Sequence, residues 1–221
     1  MSPIIIAVDG TAAAGKGTLA RNLARIYHLS HLDTGRLYRA VGFKMLKEGK
    51  DLADREAAVS IANSLTHEDF DNPALRNEDI GVAASHVAAF EEVRKILLVF
   101  QRSFADQPPA GMQGVIIDGR DIGSIILPAA PCKIFVTASL EVRAERRLKE
   151  LHQKGINCIY EAILEDIKAR DARDETRKAS PLRPAEGAYI LDTSTLGIEE
   201  CVKKACAYVE SKYPEARKHI E

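Results

Sequence analysis

The chain has 221 residues, of which 31 are lysine or arginine and 32 are aspartate or glutamate, giving a net charge of −1. This length suits a single domain with sub-lobes, and the near-neutral charge provides no overall field to attract DNA, RNA or an acidic membrane. The 46% hydrophobic content excludes wholesale disorder, collagen and a disulfide scaffold.

The N-terminal segment and the cysteines indicate the cellular compartment in which the protein is expected. The first apolar run stops at Asp9 and has no basic segment before it, unlike a signal peptide. Four cysteines are too few for a disulfide-rich secreted domain, so we expect reduced thiols. Cys201 and Cys206 have no second ligand pair for zinc and are interpreted as helix-core residues. The expected location is the cytoplasm.

Five short apolar runs bounded by Gly, Pro, Asp or Ser predict strands. They lie at Ile4–Val8, Leu29–Leu32, Gly114–Ile117, Cys132–Val136 and Ala188–Leu191. Most are continuous rather than alternating, as in strands that are buried on both faces of a parallel sheet. Between them apolar residues recur at helical spacing, as at Leu19, Leu23 and Ile26. The alternation of strand and helix predicts an α/β fold.

Two stretches depart from this alternation. Residues 51–106 contain helical patterns in succession, which predicts a helical lobe inserted into the connectivity of the sheet. These patterns lie at Arg55–Leu65, Ile80–Phe90 and Glu91–Ala105. Residues 143–180 contain a basic helix, a break at Lys154-Gly155 and a second charged helix that ends before Pro181.

A glycine-rich segment joins the first predicted strand directly to the first predicted helix. It consists of Gly10, Thr11, Ala12, Ala13, Ala14, Gly15, Lys16, Gly17 and Thr18. Small residues let backbone N–H groups converge on phosphate oxygens, the helix N-terminus adds partial positive charge, and Lys16 supplies a cation. The hydroxyl of Thr18 comes one residue later than in the strict pattern, a variant typical of nucleoside monophosphate kinases. We therefore predict a nucleotide phosphate site; the alternative is a glycine-rich turn with a helix cap.

A carboxylate and a set of arginines extend this chemistry. Asp118 follows a buried strand, the position at which P-loop proteins place an acid near Mg²⁺, although an Asp there also serves as a cap. The arginines are Arg36, Arg39, Arg94, Arg120, Arg143, Arg146, Arg147, Arg170, Arg173 and Arg177. In most proteins such side chains form exposed ion pairs. A phosphoryl-transfer enzyme needs them to offset the repulsion between two phosphate-bearing substrates.

The chain resembles the bacterial cytidylate kinases along most of its length. Besides the phosphate loop, the matching motifs are Asp33-Thr34-Gly35 with Tyr38-Arg39, Ala84-Ser85 with Val93-Arg94, Asp118-Gly119-Arg120-Asp121-Ile122-Gly123, Lys133-Ile134-Phe135, and Arg170-Asp171-Ala172-Arg173-Asp174 with Arg177 and Ser180. The order of these motifs is far more specific than the phosphate loop alone. The resemblance implies a P-loop kinase fold, with a five-stranded parallel sheet flanked by helices, a helical acceptor-binding insert and a lid.

The resemblance also implies a division of the single domain, residues 1–221. The core would comprise residues 1–50, 107–142 and 181–221, the acceptor-binding insert residues 51–106, and the lid with its flanking helices residues 143–180. Two positions depart from the family. Thr66–Gly81 is short where cytidylate kinases often carry a small antiparallel sheet, so this sub-lobe is expected to be reduced. Arg36 stands where the family commonly has a small residue, as an extra phosphate contact or a surface charge.

The reaction implied is transfer of a phosphoryl group from Mg-ATP to CMP or dCMP. Lys16, Arg147 and Arg170 would offset the charge of the reacting phosphates. ATP would bind the loop from Gly10 to Thr18 and Arg143, while Thr18 and Asp118 would hold Mg²⁺ directly or through water. We expect no nucleic acid or membrane partner, and a monomer.

The acceptor residues are also carried over from the resemblance. Thr34, Arg39, Arg120 and Arg177 would hold the acceptor phosphate, Arg170 and Asp174 the sugar, and Ser85, Arg94 and Asp121 the base. Cytosine presents an amine donor beside two acceptors, so a carboxylate and a guanidinium complement it. Uracil would instead place an acceptor against the carboxylate.

Three alternatives remain open at this point. The same chemistry serves other small acceptors, such as AMP, UMP or shikimate. A GTPase or nucleotide switch would need an N-K-x-D guanine motif, which the sequence lacks. A non-enzymatic nucleotide- or RNA-binding module is disfavoured by the neutral charge and by the lack of a cluster of basic and aromatic residues.

Overall fold

A parallel sheet of five strands organises the fold in the computed structural model, which describes residues 3–216. The strands are β1 (Ile4–Gly10), β2 (Leu29–Asp33), β3 (Gly114–Asp118), β4 (Cys132–Thr137) and β5 (Tyr189–Asp192), in the spatial order β2-β3-β1-β4-β5. All five predicted strands are confirmed, and each ends one or two residues later than predicted. The prediction stopped at the last apolar residue, whereas each strand continues to the edge of the sheet.

The register of the strands gathers polar residues at that edge. Asp33 of β2 lies opposite Asp118 of β3, and Asp118 lies opposite Val8 of β1. Because the carboxyl ends of parallel strands share one edge, ligands of such sheets bind there. The strand residues that the prediction left out therefore include Asp33 and Asp118, which lie at the edge where ligands bind.

Helices surround the sheet and fill both irregular stretches. Those of the described chain are α1 (Lys16–Tyr27), α2 (Thr34–Lys47), α3 (Arg55–Asn63), α4 (His67–Phe70), α5 (Glu78–Val87), α6 (Glu91–Asp106), α7 (Leu140–Gln153), α8 (Tyr160–Thr176) and α9 (Ile198–Lys212). A 3-10 turn covers Pro73–Arg76 and a π-helical turn covers Ile122–Ile126. Within the described residues, no helix is both long and apolar enough to span a bilayer.

Separate apolar clusters hold the sheet and the helical parts together. On one face of the sheet, Leu23 and Tyr27 of α1 pack with strand residues and with α9. Cys201 and Cys206 are buried in this cluster, which confirms their interpretation as helix-core residues. The helices of residues 51–106 share a second cluster with α2, and α7 and α8 share a third. The predicted outer ends of the core, residues 1–2 and 217–221, lie outside the described residues.

Two helices of the insert end earlier than predicted, and the first of them, α3, ends at Asn63 rather than at Leu65. Helix α5 ends at Val87 rather than at Phe90, because Phe90 is extended and forms the N-cap of α6. The stretch Thr66–Gly81 is short, as expected, and contains α4, the 3-10 turn and the start of α5. Asp69 anchors it by accepting hydrogen bonds from the backbone N–H of Thr66 and from Lys44 of α2, both at 2.8 Å.

Candidate active site

The loop between β1 and α1 has the conformation of a phosphate cradle. Gly10 has a φ of +148°, and a Cβ atom there would lie 1.9 Å from the carbonyl oxygen of Val136, so only glycine fits. Gly15 has a φ of +92° and forms the N-cap of α1. The first N–H groups of α1 have no intrahelical acceptors and are available to anions at this end of the helix.

Lys16 is buried beside this loop in a strongly cationic environment. Only 9% of its surface is exposed. Burial lowers the pKa of its ammonium group to about 7, and the positive charges of Arg120 and Arg170 act in the same direction against the carboxylates of Asp118 and Asp33. A phosphate anion at this point would restore the charged lysine.

Two cavities meet at the loop. The first, which we call the charged cavity, has a volume of about 350 Å³. Its functional lining consists of Lys16, Asp33, Thr34, Tyr38, Arg39, Ser85, Arg94, Asp118, Arg120, Asp121, Arg147, Arg170, Asp174 and Arg177. The second, which we call the apolar cavity, has a volume of about 470 Å³. The phosphate loop contributes residues to both.

Buried ion pairs fix the arginines of the charged cavity. The Nε of Arg120 lies 2.8 Å from a carboxylate oxygen of Asp174, and Arg177 lies 3.6 Å from the other oxygen. Burial alone would raise the pKa of Asp174, but Arg120 and Arg177 hold it below its usual value. Asp174 is therefore ionised and holds both guanidinium groups in place at neutral pH.

A second buried pair lies on the other side of the cavity. Arg94 donates to Asp121 at 2.5 Å, and less than a tenth of either side chain is exposed. The guanidinium of Arg94 also lies 5.4 Å from the centre of the Tyr38 ring. A rigid carboxylate beside a rigid guanidinium offers one acceptor and several donors to a flat polar ligand.

The cavity retains donors for an anion. Among the described residues, the Nε of Arg170 and one terminal nitrogen of Arg177 are buried without a hydrogen-bond acceptor. Burial, followed by the repulsion of Arg120, lowers the pKa of Arg170 to about 10. Buried donors without acceptors carry a free-energy cost that a bound phosphate would remove.

Carboxylates suited to magnesium lie next to Lys16. Asp118 is 5% exposed, and one of its oxygens lies 2.7 Å from the Nε2 of His31. Burial and the neighbouring charge of Asp118 raise the pKa of Asp33. Gly17 lies close to Asp118, since a Cβ atom there would contact the second carboxylate oxygen at 3.9 Å and a guanidinium nitrogen of Arg21 at 3.3 Å.

This donor set fits Mg²⁺ bound together with phosphates. No group of three or more His, Cys, Asp or Glu side chains within the described residues could hold a metal alone. Magnesium characteristically takes one or two carboxylates, with substrate phosphates and waters as its other ligands. Asp118, Asp33 and the hydroxyl of Thr18 supply oxygens of the kind that such a site requires.

The apolar cavity has a different chemistry. Its walls are formed mainly by Leu19, Val136, Leu196, Ile198 and Val202. Arg146 also lines it, but the guanidinium donates to the hydroxyl and the carbonyl of Thr193, at 2.8 and 2.6 Å. An apolar slot beside a phosphate loop suits the flat base of a nucleotide.

The structure brings most of the predicted site residues together. All nine predicted acceptor residues line the charged cavity, as do Lys16, Arg147 and Asp118, while Thr18 lines the apolar cavity. Arg39 also donates to the carbonyls of Leu75 and Asn77, at 2.7 and 3.1 Å. Arg36 lies outside both cavities and reaches Asp71 at 3.4 Å in an exposed pair.

Arg143, which is predicted to bind ATP together with the phosphate loop, makes its contacts with the backbone of that loop and with Asp171. It lines neither cavity, and its guanidinium donates to the carbonyls of Ala138 and Ala12 and pairs with Asp171. The reason is its position on α7, one turn closer to the sheet than Arg147. Arg143 therefore contacts the phosphate loop through the backbone of Ala12.

Sequence reasoning missed some residues of the site. Asp33 ends a buried strand as Asp118 does, so the same signal would have found it. Tyr38 belongs to a quoted motif and received no role. Asp171 likewise belongs to a quoted motif without a role, whereas no local signal identifies His31, because its importance comes from its contact with the distant Asp118.

Comparison with known proteins gives a consistent family. A family model described as "Cytidylate kinase" matches residues 6–211. A protein named cytidylate kinase from Methylocella silvestris is 53% identical over 214 residues, which cover 97% of this chain and 97% of the relative. Another of that name, from Bradyrhizobium sp., is 50% identical over 208 residues, covering 94% of this chain and 96% of the relative.

A solved structure also matches along nearly the whole chain. It is titled a sugar kinase from Janibacter sp. and superposes with a TM-score of 0.51 at 18% identity, covering 98% of this chain and 99% of its own. At this identity the likeness concerns the fold alone. Together with the five-stranded parallel sheet, it confirms the predicted P-loop kinase fold.

Proposed function

The chain belongs to the cytidylate kinase family, and on this premise we propose that it transfers the terminal phosphoryl group of Mg-ATP to CMP or dCMP, giving ADP and CDP or dCDP. It is a nucleoside monophosphate kinase that acts on CMP. The ATP donor, the magnesium ion and the acceptance of dCMP are the finer parts of the proposal. The observation that carries them is the meeting of an apolar and a cationic cavity at the phosphate loop, where Ala13 lines both and Lys16 lines the cationic one.

The charged cavity is proposed to bind the acceptor nucleotide. Its phosphate would contact Thr34, Arg39, Arg120 and Arg177, and its sugar Arg170 and Asp174. The unpartnered donors of Arg170 and Arg177 support this assignment, because they lack acceptors without an anion. Multiple guanidinium groups suit a phosphate, whose oxygens accept paired hydrogen bonds.

The base is proposed to lie against Ser85, Arg94 and Asp121. The carboxylate of Asp121 would accept from the exocyclic amine of cytosine, and Arg94 would donate to the ring acceptors. Their mutual ion pair supports this reading, because it holds both groups in fixed positions before any ligand binds. Uracil would place its oxygen against the carboxylate and lose that contact.

The donor is proposed to place its base in the apolar cavity and its phosphates on the loop from Gly10 to Thr18. An oxygen of the acceptor phosphate then attacks the terminal phosphorus of the donor. The bond from that phosphorus to the bridging oxygen breaks, and its electron pair stays on the ADP phosphate. No side chain acts as a nucleophile; Lys16, Arg147 and Arg170 offset the charge of the phosphates.

Magnesium would be held by Thr18 and Asp118, directly or through water. When bound, the ion neutralises part of the donor phosphate charge. The partner of Asp118 supports the assignment. His31 occupies one oxygen of Asp118, which orients the carboxylate and leaves the second oxygen on the side of Gly17.

The division into parts is proposed on the same footing. Residues 51–106 would close over the acceptor as an insert, and residues 143–180 would act as the lid that excludes water. The cluster of the lid is formed mainly by α7 and α8, which supports its movement as a unit, whereas the cluster of the insert is shared with α2 of the core. The cytoplasmic location and the monomeric state stay predictions.

A panel of acceptors tests the proposed function. Purified protein with ATP and Mg²⁺ is given CMP, dCMP, UMP, AMP or shikimate in turn, and ADP release is measured. We expect CMP and dCMP to support the fastest release, and chelation of Mg²⁺ to abolish it. Faster release with AMP, UMP or shikimate would contradict the assigned acceptor, and release without magnesium would contradict the metal.

A further inference from the structure

Two buried charged residues stand behind the phosphate loop and outside both cavities. Arg143 on α7 and Asp171 on α8 are 6% and 9% exposed, and they pair directly with each other. Neither lines the charged or the apolar cavity. A buried ion pair is costly to desolvate and is weak support for stability by itself. The contacts of this pair indicate what else it does.

The pair holds the backbone of one loop residue, Ala12, on both sides of its Cα atom. The second oxygen of Asp171 accepts from the backbone N–H of Ala12 at 3.3 Å, and Arg143 donates to the carbonyl of Ala12 at 3.1 Å. The next residue, Ala13, has a φ of +59°, in the left-handed region that residues with a Cβ rarely adopt. Such a conformation persists where surrounding contacts enforce it. Here the enforcing contacts include those of the Arg143–Asp171 pair.

The same two helices carry residues of the charged cavity. Asp171 directly follows Arg170 and lies one turn from Asp174, and both neighbours line that cavity. Arg143 lies one turn before Arg147, which lines both cavities. The Nε of Arg143 also donates to Ala138 at 3.0 Å, just after β4, so α7 is tied to the sheet at this point.

We propose that Arg143 and Asp171 are a positioning pair that holds the phosphate loop in its anion-binding shape and couples it to the acceptor site through α8. This inference rests on the proposed function, because the loop is assigned to the donor nucleotide. An acceptor nucleotide that binds Arg170 and Asp174 restrains one turn of α8. The same turn carries Asp171, which accepts the hydrogen bond from Ala12 of the phosphate loop. By reciprocity, each nucleotide then strengthens the binding of the other by the same factor.

Binding measurements with a non-hydrolysable ATP analogue test this pair. We measure its dissociation constant by calorimetry with and without CMP, for the wild type and for Asp171→Asn and Arg143→Met. We expect each variant to bind the analogue about tenfold more weakly or worse, the typical consequence of removing one partner of a charged hydrogen bond. CMP alone should bind within about twofold of the wild type, and the gain that CMP gives to analogue binding should shrink.

A double variant and a surface control complete the experiment. Because a single substitution leaves one buried charge unpaired, Asp171→Asn with Arg143→Met should bind the analogue no worse than either single variant. Glu165→Gln removes an exposed carboxylate from α8 that pairs with Lys168, and it should change neither constant. Additive losses in the double variant would overturn the pairing.

The outcomes separate this inference from the proposed function. If the wild type fails to bind the analogue, the donor assignment itself fails. If the wild type binds it and both single variants bind equally well, the loop does not depend on the pair. Equal weakening of analogue and CMP, with unchanged coupling, would assign the pair a general structural role. Should Arg143→Met fold poorly, Arg143→Lys keeps the charge and is expected to recover part of the affinity.

Discussion

The charged and the apolar cavities share one loop and are built on opposite principles. In the charged cavity, buried ion pairs such as Arg94–Asp121 and Arg120–Asp174 fix the functional groups before a ligand binds. In the apolar cavity, Arg146 is occupied by Thr193, and Ile198 is 64% exposed. Under the proposed function, the acceptor would be recognised by oriented charges, whereas the donor base would gain mainly from covering apolar surface.

The largest expected effect is in the charged cavity, at Lys16 of the shared loop. Lys16→Ala removes the cation that faces the reacting phosphates, so kcat should fall about 10²–10³-fold. Steady-state kinetics with ATP and CMP measure it, and Lys168→Ala on the exposed face of α8 serves as the control. Turnover close to that of the wild type in Lys16→Ala would show that the shared loop does not carry the chemistry.

The second prediction concerns the stability cost of the charged cavity in nucleotide-free protein. The pKa of Lys16 is about 7 in the folded chain and 10.5 unfolded, so between these values the unfolded state binds more protons and stability rises with pH. Lys16→Met should therefore raise stability at pH 7 by a few kcal/mol, on the order of several degrees in Tm. The gain should shrink as the pH rises towards 10.

Thermal unfolding across this pH range checks the second prediction. The matched comparison is Ile198→Ala in the apolar cavity, whose large exposed fraction predicts little change in Tm at any pH. A Lys16→Met variant that is less stable than the wild type at pH 7 would mean that the lysine stabilises the empty cavity.

The third prediction sharpens the role of oriented charge in specificity. Asp121→Asn keeps the shape of the side chain and removes the charge that faces Arg94, so kcat/KM for CMP should fall about tenfold. UMP should lose much less, because its oxygen gains nothing from a carboxylate. Asp121→Ala tests the same point less cleanly, since it leaves Arg94 buried without its partner.

The control for specificity is Asp174→Asn. This carboxylate holds Arg120 and Arg177, which are assigned to the phosphate common to both acceptors, so the variant should slow CMP and UMP alike. An equal loss for the two acceptors in Asp121→Asn would instead assign Asp121 to phosphate binding or to the scaffold.

The smallest expected effect is in the apolar cavity. Ile198→Ala removes part of the surface that the donor base would cover, and the KM for ATP should rise about two- to threefold. Both kcat and the KM for CMP should stay within experimental error, because the side chain lies outside the charged cavity. A change in CMP specificity would contradict the assignment of the donor base to the apolar cavity and of the acceptor to the charged cavity.

The sequence predicted the strands and the charged cavity better than the apolar one. Continuous apolar runs and ordered motifs identify β1 or the Asp118–Asp121 segment locally. The apolar cavity is assembled from Leu19, Val136 and Ile198, which come from distant elements and resemble ordinary core residues in the sequence. Their exposure to a nucleotide becomes visible only once the elements have packed.

The placement of Arg143 shows a second limit. Its spacing from Arg147 predicts a shared helix face, and both residues do lie on that face of α7. Distance along the helix axis then separates them, so one reaches the cavities and the other reaches Ala12 and Asp171. A sequence pattern predicts which residues share a face of a helix. How close each turn of that helix lies to the sheet or to a cavity depends on tertiary packing.

The order of the strands has a consequence for how the protein forms during synthesis. β1 lies at the centre of the sheet, but its partners start at Gly114 and Cys132, late in the chain. Its backbone N–H and C=O groups stay unpaired until the later strands have left the ribosome. During that time the apolar side chains of Ile4–Ile6 remain exposed to non-native contacts. Parallel pairing at such sequence separation is intrinsically slow to form. We expect the nascent chain to depend on α1, its immediate successor, to cover β1 until the sheet can close.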